Sequence, residues 1–117
     1  VVVPVPMPLI RRWKRGIDHA GMLAQEVARV CDATYYRALW RRGSVAQAGA
    51  SRTARHRATA RGWHVHLRAR SRLQGRDVVL VDDVLTTGRT ARIAGGLLRE
   101  AGARSVTLGV IAVADST

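Results

Sequence analysis

The sequence predicts an α/β protein with a mostly parallel sheet of about five strands and flanking helices. Three observations carry this. Short runs rich in β-formers alternate with two stretches of helical apolar spacing. Two of the runs, 78–81 and 105–113, are apolar almost throughout, as expected of strands covered on both faces. At 117 residues the chain reads as one domain spanning 1–117.

Val1 to Val5 reads as a short buried strand closed by Pro4, Pro6 and Pro8. A basic cluster from Arg11 to Arg15 occupies the connection that follows. From Ile17 to Cys31, apolar residues at 20, 23, 24, 27, 30 and 31 predict a helix, with Asp18 as its N-cap. Thr34 to Trp40 is rich in β-formers and predicts a second strand. Gly43 to Arg61 has weak periodicity and fits a loop, a surface helix or part of each. Trp63 to Leu67 predicts a short strand and Asp77 to Val81 a buried one. Apolar positions 91, 94, 97, 98 and 101 predict a helix from Thr90 to Ala101, stopped by Gly102. Ser105 to Val113 completes the sheet.

The formal net charge is +12, and arginine supplies 19 of the 20 basic residues. Arginine favours bidentate phosphate contacts, so this surface suits a phosphorylated small molecule or a nucleic acid, or is a solvated basic face. No run of about 18 apolar residues is present, which excludes a transmembrane helix of the usual length. No secretory signal is visible, and the single cysteine, Cys31, excludes an internal disulfide; a cytoplasmic location is the simplest expectation. Cys31 ends an apolar helix face and is expected to be an inert core residue.

The stretch "VVLVDDVLTTGRT", Val78 to Thr90, concentrates the chemistry. Four aliphatic residues run into Asp82 and Asp83, two anions that repel each other at the end of a buried strand. Gly88 permits a tight turn, and the helix beginning near Thr90 points its positive end at the same place. Thr86, Thr87 and Thr90 add hydroxyls, which together make a phosphate cradle. The two carboxylates can accept hydrogen bonds from sugar hydroxyls or hold a divalent cation through water. A ribose 5-phosphate satisfies both halves. Neither a Walker A loop nor a G-x-G-x-x-G fingerprint is present.

This string resembles the phosphoribosyl diphosphate (PRPP) motif of type I phosphoribosyltransferases. The resemblance implies that Asp82 and Asp83 contact the ribose hydroxyls and that Thr86, Thr87, Gly88, Arg89 and Thr90 bind the 5-phosphate. Arg89 stands where relatives often carry a small residue, at a position that mainly needs its backbone N–H. "VPVPMPLIRRWKRGIDHAGMLAQEVAR" and "VAQAGASRTARHRATARGW" are similar to stretches of the ComF/GntX group, with Gln47 and Arg55 as recurring residues. The sequence departs from that group at Asp18-His19-Ala20, where Asn-Gln-Ala is common, and at Ala58, where Asn is common. The group's Cys-rich zinc module and the part of the sheet before its first strand are not seen, so the chain, which has no initiator Met, reads as a domain fragment with its N-terminal part missing.

The resemblance further implies PRPP as ligand, Mg²⁺ as its companion ion, and pyrophosphate binding by Arg11, Arg12 and Arg15. No residue is assigned as a direct metal ligand. Two functions are expected: transfer of ribosyl phosphate to an unidentified acceptor, or single-stranded DNA binding as an accessory of natural competence. His64 and His66 alternate on a strand but lack a Cys or carboxylate partner for zinc. Trp13, Trp40 and Trp63 sit among arginines, a mixture used to stack bases, yet in a chain without Phe they are better read as core. The oligomeric state is not readable.

Overall fold

The computed structural model describes residues 1–7, 17–42, 62–85 and 87–113. Its elements run β1 (Val2–Pro4), α1 (His19–Val30), β2 (Leu39–Arg41), β3 (Trp63–Val65), α2 (Ala69–Leu73), β4 (Asp77–Leu85), α3 (Arg89–Glu100) and β5 (Ser105–Val113). Gly43 to Arg61, with Gln47, Arg55 and Ala58, lies outside the described residues, as do Arg11, Arg12, Trp13, Arg15 and Thr86.

β4 forms the middle of a parallel three-stranded sheet in the order β1-β4-β5. Its β-branched run pairs Val2 with Val79 and Pro4 with Val81 on one side, and Asp77 with Ser105 through Leu85 with Val113 on the other. Pro4 lies within β1 rather than closing it. Val5 N–H donates to Val81 O, whereas Val2 exchanges bonds with Thr34 and Tyr36 on the opposite edge. The missing N–H of Pro4 therefore falls on the edge away from β4, where it removes no ladder bond.

The two faces of the sheet are buried by different elements. Val2 and Val81 pack against Ala24 and Ala28 of α1. Small residues on that helix face let it approach the strands closely. On the other face, Val3, Val78 and Leu80 join Ala94 and Leu98 of α3, Ala69 and Leu73 of α2, and Leu39 and Trp63. This alternation along β4 follows from its two-residue side-chain period.

The structure departs from the sequence expectations at further places. The predicted strand Thr34 to Trp40 is reduced to one bridge, Tyr35 with Val2, and to β2. β2 pairs antiparallel with β3 in a separate ribbon, Trp40 opposite His64. β5 is not covered on both faces: Ile111 and Val113 are 70% and 69% exposed, because only its first half reaches the helices. Cys31 is exposed rather than core, since α1 closes at that residue and turns away. α2 has no counterpart among the predicted elements, because five residues are too few to show a period.

Candidate functional site

β1 stops at Pro4 opposite Val81, while β4 continues for four more residues to Leu85. That mismatch opens a cleft of about 310 Å³ at the carboxyl ends of the strands, where open α/β sheets hold ligands. Asp82, Asp83 and Thr90 line it together with Asp18 and His19 of the α1 N-terminus and Arg41 of β2.

The carboxylates do not sit at a strand end, as the sequence suggested, but inside β4, whose pairing to β5 runs past them. Asp82 Oδ1 accepts from Asp83 N–H at 2.8 Å and Asp83 Oδ1 accepts from Val84 N–H at 2.9 Å. Burial pushes the Asp82 carboxyl up to about 6, and the neighbouring Asp83 carboxylate adds to the shift by hydrogen bonding and repulsion. Two carboxylates are thus held side by side in a half-buried site that resists their joint ionisation. Such an arrangement suits partners that donate hydrogen bonds or bring positive charge.

Gly88 caps α3 with φ 79°, the left-handed region that glycine adopts without strain. Gly88, as the capping residue, has no side chain to offer; among the described residues Arg89 N–H donates to Thr87 Oγ1 at 3.3 Å, and the first helical bond is Arg92 N–H to Gly88 O. The amides between them, at Thr90 and Ala91, carry the positive end of the helix toward the cleft. Thr87, Gly88, Arg89 and Thr90 are therefore brought together around one helix start, beside Asp82 and Asp83.

The α1 N-terminus is built differently. Asp18 Oδ1 accepts from Gly21 N–H at 3.0 Å, and Asp18 Oδ2 accepts from Arg37 Nη2 at 2.7 Å. Burial works against the Arg37 charge, but the Asp18 hydrogen bond, with attraction from Tyr35 and Asp18, outweighs it and raises its pKa. Gly21 leaves room for this pair: a Cβ there would lie 2.5 Å from Asp18 Oδ2 and 2.6 Å from Arg37 Nη2, so those side-chain ends would have to shift. Sequence reasoning finds the Asp18 cap but not its Arg37 partner, which is 19 residues away and carries no local signal.

Arg41 is a cleft residue that sequence reasoning also misses, whereas His19, which the sequence marks only as a departure from the group's pattern, lines the cleft as well. Arg41 places its guanidinium 5.0 Å from the centroid of the Trp63 ring, its cross-strand partner. Trp63 is core, as expected, whereas Trp40 is 37% exposed and stacks on His64 with centroids 4.0 Å apart. His66 meets Tyr36 Oη at 3.2 Å, so the two strand histidines have separate partners. Among the described residues no group of three or more His, Cys, Asp or Glu side chains could hold a metal ion. No described helix is long and apolar enough to cross a membrane.

A family model described as phosphoribosyl transferase domain matches residues 13–116. Competence protein F of Haemophilus influenzae is 30% identical over 107 residues, covering 90% of this chain and 46% of that protein. DNA utilization protein YhgH of Escherichia coli K12 is 36% identical over 107 residues, covering 87% of this chain and 44% of that one. The chain thus spans less than half the length of these curated relatives. Among solved structures, the allosteric regulatory enzyme of purine biosynthesis matches with a TM-score of 0.56 and 27% identity, over 74% of this chain and 18% of that one.

Proposed function

The chain belongs to the phosphoribosyl transferase domain family, and from that premise we propose that its cleft binds PRPP with Mg²⁺ and supports transfer of the ribosyl phosphate to an acceptor. One observation supports the reading: a helix N-terminus capped by a glycine, with no carboxylate of its own among the described residues, and a pair of adjacent carboxylates face the same cleft from consecutive segments. The α3 amides and the Thr87 and Thr90 hydroxyls receive the 5-phosphate, and Thr86 belongs to the same motif. Asp82 and Asp83 accept hydrogen bonds from the ribose hydroxyls, which fixes the sugar and its anomeric carbon.

Displacement of pyrophosphate from that carbon passes through an oxocarbenium-like state, whose positive charge the paired carboxylates favour. The donor set would suit Mg²⁺ only as an ion carried in by the ligand, with Asp82 and Asp83 holding it through water. When bound, the ion would neutralise the leaving diphosphate. Arg11, Arg12 and Arg15 are assigned to the pyrophosphate because their segment joins Met7 to Ile17, both of which line the cleft. A calorimetric titration with PRPP and Mg²⁺ tests the reading; no heat at any accessible concentration would refute it.

The names of the two relatives favour a second reading, in which the protein serves DNA uptake or use by binding single-stranded DNA. A net charge of +12 is compatible with it.

A further inference from the structure

Six of the described arginines stand together at the end of the sheet opposite the cleft. Arg68, Arg70 and Arg72 lie in or beside α2; Arg76 precedes β4; Arg99 and Arg104 flank the C-terminus of α3. Backbone bonds draw these segments together: Gly75 N–H donates to Gly102 O at 2.9 Å and Arg104 N–H to Arg76 O at 2.8 Å. Arg70 Nη2 also reaches Glu100 O at 3.3 Å. All six arginines are exposed, against two carboxylates, Asp77 and Glu100. Asp77 is already taken by Arg104 and Ser105, which hold its carboxyl well below the usual range. Among the described residues Arg104 is the only one of the six in an ion pair.

A purely solvated face would not include what lies between these charges. A crevice of about 310 Å³ is lined by the apolar residues Val65, Leu67, Leu97 and Ala101 together with His66, Arg70 and one carboxylate, Glu100. That volume is at the lower end of the ~300–1,000 Å³ of small-ligand clefts, room for one flat ring system. Leu67 is 100% exposed. Beside it, His66 meets Tyr36 edge to face at 6.0 Å, and the Arg72 guanidinium lies 5.8 Å from the Tyr36 ring centroid.

We propose that this pole is a binding surface for single-stranded nucleic acid, with Arg68, Arg76 and Arg99 on the phosphates and the Leu67–His66 crevice on an unstacked base. The proposal rests on the second reading above and gives it a location, separate from the PRPP cleft. A single strand is favoured over a duplex for two reasons. Only unpaired bases present faces and edges to an apolar crevice. The element carrying most of the arginines, α2, has five residues and is too short to enter a major groove as a recognition helix.

The test uses the 117-residue chain and a labelled oligothymidylate longer than the roughly 4–16 nucleotides such sites cover. Anisotropy is followed across a salt series. Among the described residues the side chains of Arg68, Arg76 and Arg99 enter no ion pair, so a triple change of these residues to Glu should leave the melting temperature unchanged. It should weaken oligothymidylate binding at least tenfold and flatten the logarithmic salt slope by about 2, at about 0.7 for each phosphate no longer neutralised. Leu67→Ala should weaken oligothymidylate severalfold and leave inorganic polyphosphate binding unchanged, which a merely electrostatic face would not do. Ribose 5-phosphate affinity should be unaltered in both variants. Wild-type affinity in the folded triple variant overturns the surface alone; no complex with wild type even at low salt overturns the nucleic-acid reading as well. Preferential capture of anionic vesicles, abolished in the triple variant while oligothymidylate binding persists, would assign the pole to membranes and likewise overturn the proposal.

Discussion

The N-termini of α1 and α3 reach the same cleft, α1 through Asp18 and His19, α3 through Thr90, yet they are finished in opposite ways. At α1 the positive end is answered from within: Asp18 takes the Gly21 amide and is itself held by Arg37. At α3 the capping residue is a glycine with no side chain to offer. A helix start that has its own carboxylate repels a second anion, whereas one without a cap is stabilised by an anion from outside. The difference teaches where charge will go. A phosphate entering the cleft is steered to α3, beside the carboxylates that can hold its sugar, and the closed α1 end serves as a wall.

Removing the carboxylates should break this arrangement most severely. Asp82→Asn with Asp83→Asn should weaken PRPP–Mg²⁺ binding by about 1.5–3 kcal/mol for each charge-assisted hydrogen bond removed, with the fold intact. Calorimetry on the double variant checks this, and unchanged affinity would detach the ribose from these residues. Gly21→Ala comes next. Its methyl group must displace the Asp18 and Arg37 side-chain ends, so the chain should lose up to about 1–3 kcal/mol of stability, as for a weakened cap plus a weakened half-buried ion pair. Thermal denaturation measures it; a variant as stable as wild type would mean that the α1 closure is unimportant.

A smaller effect of opposite sign is expected from Asp82→Asn alone. The folded carboxyl titrates near 6 instead of an ordinary 3.8, so between those values the folded state keeps a proton that the unfolded state has released. Stability therefore falls as pH rises through that window. Removing the charge should stabilise the protein at pH 7 by about 1–2 kcal/mol, after discounting for the solvent that reaches this half-exposed group. The variant's stability should also lack the fall between pH 4 and 6. A destabilised variant would show that the carboxylate is structural. The same titration makes ligand binding by wild type improve as pH rises through about 6, because the ionised carboxylate is the better acceptor.

The features legible in the sequence are those set by local pattern. Asp18 as a cap, the helix stopped at Gly102 and the continuous run at 78–81 all depend on neighbours within a few positions. The phosphate-binding start of α3 is legible for the same reason, since Gly88 and the threonines are consecutive with it. What escapes depends on distant pairing. Arg37 reaches Asp18 across the end of α1, and Arg41 faces the cleft because β2 pairs with β3, which is remote in sequence. The exposure of β5 beyond Val110 is also hidden, because an apolar run looks the same whether or not a helix covers it. Asp82 and Asp83 can be read as functional from their improbability alone, but not as lying inside a strand that outlasts its neighbour.

Amide hydrogen exchange with added ribose 5-phosphate, and separately with inorganic phosphate, tests the contrast between the two helix starts most directly. Both ligands should slow exchange at Arg89, Thr90 and Ala91, and leave Ala20, Gly21 and Met22 as they were, since Asp18 already occupies that end. Only ribose 5-phosphate should also perturb Asp82 and Asp83, because only it brings hydroxyl groups. Protection at the α1 amides, or none at α3 under saturating ribose 5-phosphate, would contradict the assignment of the open helix end as the phosphate site.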